Sequence, residues 1–406
     1  ASNTDADEVS DALGNLPHFK VSGIDFFTLP DVKLLLAHLS VVGMEHNFIA
    51  WSQLFTGLQV YSSNSASRQF VRSLMELAIS PVDFLDYESS TYLAEFVKTY
   101  ESQDIVVFDT ETTGLNVFQA DVVQLAAIKV SRGRVVDSLN LFIETDREIP
   151  VMLGDVANPL IEEYRLHPHL SHADALRQFV GFAKGCAILG HNATYDYQIM
   201  EHNMRRYAPD LSMHDLWPTY YDTLKLIRLL RPRQKSYKLK DLLVDLRLEG
   251  ENSHLASDDI VATESLMVYA YDLARSIVGR QQEFIARHRK VIDRFRTLYA
   301  DLYRRTREQL YVEVGGQALT QQLQYAYDYL LDIRKVKLLP KLAYLMAYIR
   351  EDLLSPASGY SLAQQLAAHM NDLSTLKEAD LCGAQSMHER VFVSTVHKAK
   401  GLEFDH

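Results

Sequence analysis

The chain is short of cysteine. Its 406 residues hold two, Cys186 and Cys382, far apart and outside any paired metal-binding spacing. That excludes a disulfide framework and a cysteine-based zinc site, and it fits a reducing, cytoplasmic setting. Long apolar runs are missing as well. None approaches the roughly 18 residues of a membrane span, and the acidic N-terminus lacks the basic and apolar regions of a secretory leader, so no membrane partner is expected. Positive charge is not in excess: 41 Lys and Arg face 53 Asp and Glu, for a net charge of −12. This argues against a protein coated in nucleic acid, although local basic strips can coexist with an acidic whole. There is no Gly-x₄-Gly-Lys-Ser/Thr loop, hence no phosphate cradle for ATP. Internal repeats and low-complexity segments are absent too. What remains is an ordinary globular composition, 47% apolar and 23% charged, with length for two or three domains that each bury a core. The chain starts without Met and stops at Phe404-Asp405-His406, just after a strand-and-turn pattern, and is expected to be a piece of a longer polypeptide.

The chain is organised around residues 105–115, Ile-Val-Val-Phe-Asp-Thr-Glu-Thr-Thr-Gly-Leu. Four apolar residues without polar alternation predict a short central strand buried on both faces. The strand runs directly into Asp109 and Glu111, which as residues two apart point to one side and converge beyond its end. Like charges so close repel and each carries a desolvation cost. A divalent cation compensates, and hard oxygen ligands favour Mg²⁺ or Mn²⁺ over zinc.

Before this strand the pattern is mainly α. Residues 1–17 predict a loosely held polar start and Phe19 to Phe27 an apolar strand-like stretch. Helical patterning follows over 30–39, 48–58, 67–79 and 90–100. After residue 103 strands alternate with helices. Strands are expected over 122–130 and 134–143, joined by the turn Ser131-Arg132-Gly133, then at Ala187-Ile188-Leu189 and Tyr220-Tyr221. Helices are expected near 171–184, from Tyr195, and from Ser257. Residues 103–278 therefore describe a three-layer α/β domain. From Gly279 the chain is helical again. Between Arg275 and Glu308 ten Lys or Arg stand against four Asp or Glu. That run reads either as a solvated helix face or as a strip that tracks phosphates.

Two further stretches join the first. Gly190-His191-Asn192-Ala193-Thr194-Tyr195-Asp196 is a strand end followed by a helix start. His254-Leu255-Ala256-Ser257-Asp258-Asp259 opens the long helix. In that helix Asp259, Thr263, Leu266 and Ala270 fall on one stripe of buried type, whereas Asp258, Ser265 and Asp272 recur at heptad spacing and stay polar. Asp259 should thus face the sheet and Asp258 water, with His254 on the entering loop and reaching over the site.

Taken together and in this order, the Asp-Thr-Glu-Thr-Thr-Gly-Leu, His-Asn-x-x-Tyr-Asp and His-x₄-Asp stretches resemble the three motifs of the DnaQ-like DEDDh 3′→5′ exonucleases. Asp222-Thr223-Leu224, Arg231-Pro232 and Tyr237-Lys238-Leu239 look like the segment that precedes the third motif. The resemblance implies an RNase H-like three-layer domain with a mixed five-stranded sheet, and two divalent cations, Mg²⁺ or Mn²⁺. By that likeness Asp109, Glu111 and Asp259 would hold one ion, Asp109 and Asp196 the other, and His254 would act as general base. Thr112, Leu115 and Asn192 would meet the terminal nucleotide. The implied product is a nucleoside 5′-monophosphate.

The flanks carry a second likeness. Residues 391–404, Val-Phe-Val-Ser-Thr-Val-His-Lys-Ala-Lys-Gly-Leu-Glu-Phe, resemble a late core motif of UvrD/Rep-type superfamily 1 helicases, with Thr395, His397, Lys400, Gly401, Leu402 and Glu403 in place. Gly23-Ile24-Asp25-Phe26-Phe27 and Asp31-Val32-Lys33 are similar to the start of that family's accessory 2B subdomain. The expected organisation is a helical 2B-like segment at 1–102, an inserted exonuclease domain at 103–278, a second helical 2B-like segment at 279–390 and an orphan helicase motif at 391–406. Without the ATP cradle such a chain should neither hydrolyse ATP nor unwind DNA. The expected partners are a nucleic acid with a free 3′ end, above all single-stranded DNA, and the remainder of a helicase polypeptide. The competing reading is a regulatory module that binds a 3′ end or a protein partner without turnover. RNA stays open as the polymer, because no 2′-OH filter is readable here.

Overall fold

The computed structural model describes residues 2–21, 23–153, 156–250, 255–311, 316–334, 339–355, 360–389 and 391–400. Its ten strands are β1 (Phe19–Val21), β2 (Ile105–Thr112), β3 (Val122–Ser131), β4 (Arg134–Ile143), β5 (Met152–Leu153), β6 (Val156–Ala157), β7 (His169–Leu170), β8 (Ala187–Gly190), β9 (Tyr221–Asp222) and β10 (Phe392–Ser394). Among the described residues no helix is long and apolar enough to cross a membrane. The chain forms two compact units, one from residues 72–292 and one from 1–71 with 293–406.

The first of these units is built on a mixed sheet ordered β7-β4-β3-β2-β8-β9. It has six strands, not the five expected. The edge strand β7 is two residues long, pairing His169 and Leu170 parallel to Phe142 and Ile143, and so short a strand leaves no period to read in a sequence. Strand β2 lies centrally, antiparallel to β3 and parallel to β8. The β3–β4 connection is a two-residue turn in which Arg132 and Gly133 both take positive φ, 49° and 74°, the backbone that matches the twist of a hairpin. Ile105 and Val107 pack with Leu93, Phe96, Leu266 and Met267, from helices Tyr92–Ser102 and Ala256–Arg275. Val106 and Phe108 pack on the opposite face with Leu176, Phe179, Ile199 and Met200, from helices His172–Phe182 and Thr194–Tyr207. The sheet is thus covered on both faces. The expected boundaries at 102/103 and 278/279 fall inside this unit, because helix Tyr92–Ser102 packs its Leu93 and Phe96 into the sheet's core.

The other unit is mainly helical. Its polar start is not loose: Asn3–Leu13 is a helix, opened by a capping box in which the Asp5 N–H donates to Ser2 Oγ and the Ser2 N–H to Asp5 Oδ2. Strands β1 and β10 pair parallel, Phe19 beside Phe392 and Val21 beside Ser394. Asp25 lies 3.8 Å from the Lys398 ammonium, and its Oδ2 accepts the Glu378 N–H. The two stretches of helicase likeness, remote in sequence, therefore meet. Gly401, Leu402 and Glu403 of the second stretch lie outside the described residues.

The core of this unit is aromatic. Trp51, Phe55, Phe295 and Tyr299 are fully buried, with the Phe55 and Phe295 ring centres 4.5 Å apart. Beside them sits His38, also fully buried. The Thr306 hydroxyl donates to the Leu302 carbonyl, so its oxygen accepts from His38 Nε2–H at 3.2 Å. His38 Nδ1 then accepts from the Tyr299 hydroxyl at 2.8 Å. Burial holds the imidazole neutral, its pKa lowered to about 3. In the unfolded chain a histidine titrates near 6.5, so between those values the unfolded state binds a proton that the folded state refuses. Stability is complete above about pH 6.5 and falls by up to about 1.4 kcal/mol per pH unit as pH drops toward 3. Denaturant titrations of His38→Gln and the parent chain at pH 7.5, 6 and 5 should show a shallower pH dependence in the variant. Equal slopes would remove His38 as the source.

Candidate active site

Alternation along β2 decides what faces what. Ile105 and Val107 face the Ala256–Arg275 helix, so Asp109 and Glu111 continue on that side, while Thr110 turns to the helix Thr194–Tyr207. A β-bulge at Glu111 and Thr112, where the register to β3 shifts, ends the regular ladder at this point. Asp259 stands on the first turn of its helix, 9% exposed, at the head of a buried stripe with Thr263, Leu266 and Ala270. Asp258 is half-buried. Asp196 stands on the first turn of Thr194–Tyr207 and is 5% exposed.

The charges of this group act on Asp109 and Glu111. Burial, then repulsion from Asp196, Glu111 and Asp259, pushes the Asp109 carboxyl well above its ordinary range. Burial and the charges of Asp259 and Asp196 raise Glu111 to about 8. Asp196 is raised by burial, although Thr110 offsets part of the cost with hydrogen bonds from its N–H at 3.1 Å and its hydroxyl at 2.6 Å. Among the described residues no Lys or Arg side chain pairs with Asp109, Glu111 or Asp196. These three are therefore short of positive charge among the described residues. Their donors are hard oxygens at high negative density, which fits Mg²⁺ or Mn²⁺ in kind. As they stand, the described His, Cys, Asp and Glu side chains form no group of three or more that could already hold an ion. His254 lies outside the described residues.

The nucleotide-side residues expected from the sequence are placed as follows. Leu115 is 60% exposed on the turn after β2. Thr112 is half-buried, and its hydroxyl lies 2.8 Å from that of Tyr195, which also donates to the Gly114 carbonyl at 2.8 Å. Asn192 is exposed and holds a left-handed φ of 59°, a backbone that asparagine tolerates better than most residues.

Sequence reasoning missed what fixes that turn. Asp222 is 9% exposed, and its Oδ1 accepts the N–H of Asn192 at 2.9 Å and of Leu224 at 2.8 Å, tying the turn before Asp196 to the start of the next helix. His191 bridges Thr223 Oγ1 at 2.9 Å and the Tyr237 carbonyl at 3.2 Å, and burial lowers its pKa to about 4. A neutral ring therefore donates from Nε2 to the carbonyl. The Asp-Thr-Leu stretch at 222–224 was the available signal.

In the arginine-rich stretch, helix Val278–Gln309, several cations are already paired: Arg289 with Glu88, Arg296 with Asp293, and Arg305 with Asp301. Arg280, Arg287 and Lys290 are exposed, with the exposed Glu283 among them. A partly salt-laced, solvated face describes this pattern.

Known proteins similar to the chain fall into two groups. The DNA polymerase III PolC-type of Lacticaseibacillus paracasei is 30% identical over 216 residues, 52% of this chain and 14% of the polymerase. That of Thermotoga petrophila is 25% identical over 233 residues, 56% of this chain. The chain thus spans 14% and 16% of the lengths of these curated relatives. A solved structure of exonuclease X in complex with 5′ overhanging duplex DNA matches with a TM-score of 0.30 and 21% identity, over 44% of this chain and 99% of its own. The second group is a single family, the UvrD-like helicase C-terminal domain, whose model matches residues 1–406. The chain, matched from end to end and carrying its two helicase-like stretches side by side, belongs to the UvrD-like helicase C-terminal domain family.

Proposed function

We propose that this chain is a divalent-metal-dependent 3′→5′ exonuclease, inserted in the accessory part of a UvrD-like helicase polypeptide, that releases nucleoside 5′-monophosphates from single-stranded DNA. One observation carries the reading: at the end of the central strand, burial and the charges of Asp196 and Asp259, from two other elements, raise the carboxyls of Asp109 and Glu111. A fold does not keep such repulsion without a use for it. The polarity and the choice of DEDDh chemistry rest on the resemblance of the three motifs.

Asp109, Glu111 and Asp259 would hold one Mg²⁺ or Mn²⁺, and Asp109 with Asp196 a second. Bound there, divalent ions neutralise charge on the scissile phosphate and make water a better nucleophile near neutral pH. The chain's own residues do the rest. His254 takes the proton of the attacking water, a task suited to a side chain that titrates near neutrality. Tyr195 holds the turn through Thr112 and Gly114, and that turn presents Leu115 to the terminal nucleotide. Asp222 holds the turn at Asn192, which by the same resemblance would meet that nucleotide. A free single strand suits the site, because splayed terminal nucleotides can be gripped without reading a groove.

A second reading, a 3′-end or partner-binding module without turnover, draws on the spacing of the carboxylates, which do not yet form an ion-holding group. A strand carrying a 3′-terminal label separates the two. Release of labelled mononucleotide in the first turnover, only with Mg²⁺ or Mn²⁺, supports the exonuclease. Retention of the label on bound strand supports the binding module.

A further inference from the structure

We propose that Thr110 is a positioning residue for metal binding: its N–H and its hydroxyl together lock one oxygen of Asp196 and leave the other to face the cation. The proposal rests on the reading of Asp196 as a metal-holding carboxylate. It begins with the backbone. Among the described residues β2 pairs with β8 only through Ile105–Ala187, Val106–Ile188 and Val107–Leu189, so past Val107 that edge of β2 has no described strand beside it. A buried N–H at Thr110 would be left without a partner, at a cost comparable to a lost hydrogen bond. Asp196 Oδ1 takes the place of the missing strand, accepting that N–H at 3.1 Å.

The side chain repeats the contact. Position 110 shares a face with Val106 and Phe108, an apolar layer in which valine would pack as well as threonine. Thr110 is only 7% exposed, and a hydroxyl buried there needs a partner. It donates to the same Oδ1 at 2.6 Å, in the short range of a charge-assisted bond. Two donors on one oxygen fix the carboxylate's rotation. Oδ2 takes no part in these two bonds, and Asp196 lies close enough to Asp109 for its charge to be felt there. Because Thr110 sits between Asp109 and Glu111 in the strand, one short segment sets three of the four carboxylates.

Outer partners of metal-holding side chains typically change affinity or activity by about 10- to 100-fold when lost. Manganese binding to the whole chain, followed by electron paramagnetic resonance of free Mn²⁺ without substrate, reads this directly. Thr110→Val removes the hydroxyl and keeps the shape, and is expected to weaken Mn²⁺ binding about tenfold or more. Thr110→Ser restores the donor and should bind close to the parent, with melting temperatures showing that each variant folds. If Thr110→Val does not fold, Thr110→Ala against Thr110→Ser makes the same comparison. A variant without the hydroxyl that folds and binds Mn²⁺ like the parent overturns the proposal, as does a fall in melting temperature without a change in affinity. A parent chain that binds no Mn²⁺ instead overturns the metal reading beneath it.

Discussion

Replacing Asp109 by alanine is expected to reduce metal-dependent nucleotide release to the level seen in EDTA while the fold survives. Asp109 is the carboxylate on which the repulsion converges: Asp196, Glu111 and Asp259 all raise its pKa. By the proposed assignment it is also the one shared between both ions, so its loss removes ligands from two positions at once. Its effect on stability runs the other way. A carboxyl whose folded pKa lies above its unfolded value contributes stability that is present below the unfolded pKa and lost as pH rises through the folded one. At pH 8 without metal, Asp109 therefore opposes folding, and Asp109→Ala should melt no lower than the parent. Nuclease rate and melting temperature on the same preparation check both parts. Activity retained in Asp109→Ala would remove the residue from the site, and a large fall in melting temperature would mean that the carboxylate serves the fold.

Replacing His254 by alanine should slow the reaction by about 10²-fold or more, the usual loss when a general base is removed. The rate at saturating metal should fall while Mn²⁺ binding stays near the parent's, because the proposed role is proton acceptance. The pH profile carries the sharper signature. In the parent, activity should decline as pH falls through the range where a histidine protonates, and this limb should be missing from the residual activity of His254→Ala. A variant with an unchanged rate, or with the acid limb intact, would exclude His254 as the base.

Some of this molecule is plain in its sequence and some is not, for physical reasons. Strand β2 is legible because a centrally placed strand is apolar on both faces, and Ile105 to Phe108 say so without ambiguity. The long helix from Ala256 is legible through its buried stripe. Strand β7 is not, since two residues cannot display a period. The helix Asn3–Leu13 escapes for a different reason: it buries only Ala6, so it has little apolar face to detect. Its Ser2–Asp5 capping box was the better signal.

At the proposed site, motif spacing picks out Asp109, Glu111, Asp196 and Asp259, because the proposed metal chemistry needs carboxylates at those positions. The residues that hold them are harder to find. Asp222 acts on a backbone N–H at position 192, thirty residues back, and no local pattern encodes such a reach. Thr110 leaves one trace only, a hydroxyl on a strand face otherwise filled by Val106 and Phe108. Charge counting along 275–308 also misleads on its own, since part of that positive charge is already matched by Glu88, Asp293 and Asp301.

Turnover at a 3′ end should be visible on a labelled strand. The purified chain is incubated with 5′-labelled single-stranded DNA and, in parallel, RNA, with Mg²⁺ or Mn²⁺ and with an EDTA control. The expected result is a descending ladder on DNA, shortened from the 3′ end, that vanishes in EDTA. DNA that stays full length while the chain holds it in a shifted complex would contradict exonuclease activity and leave a binding module in its place.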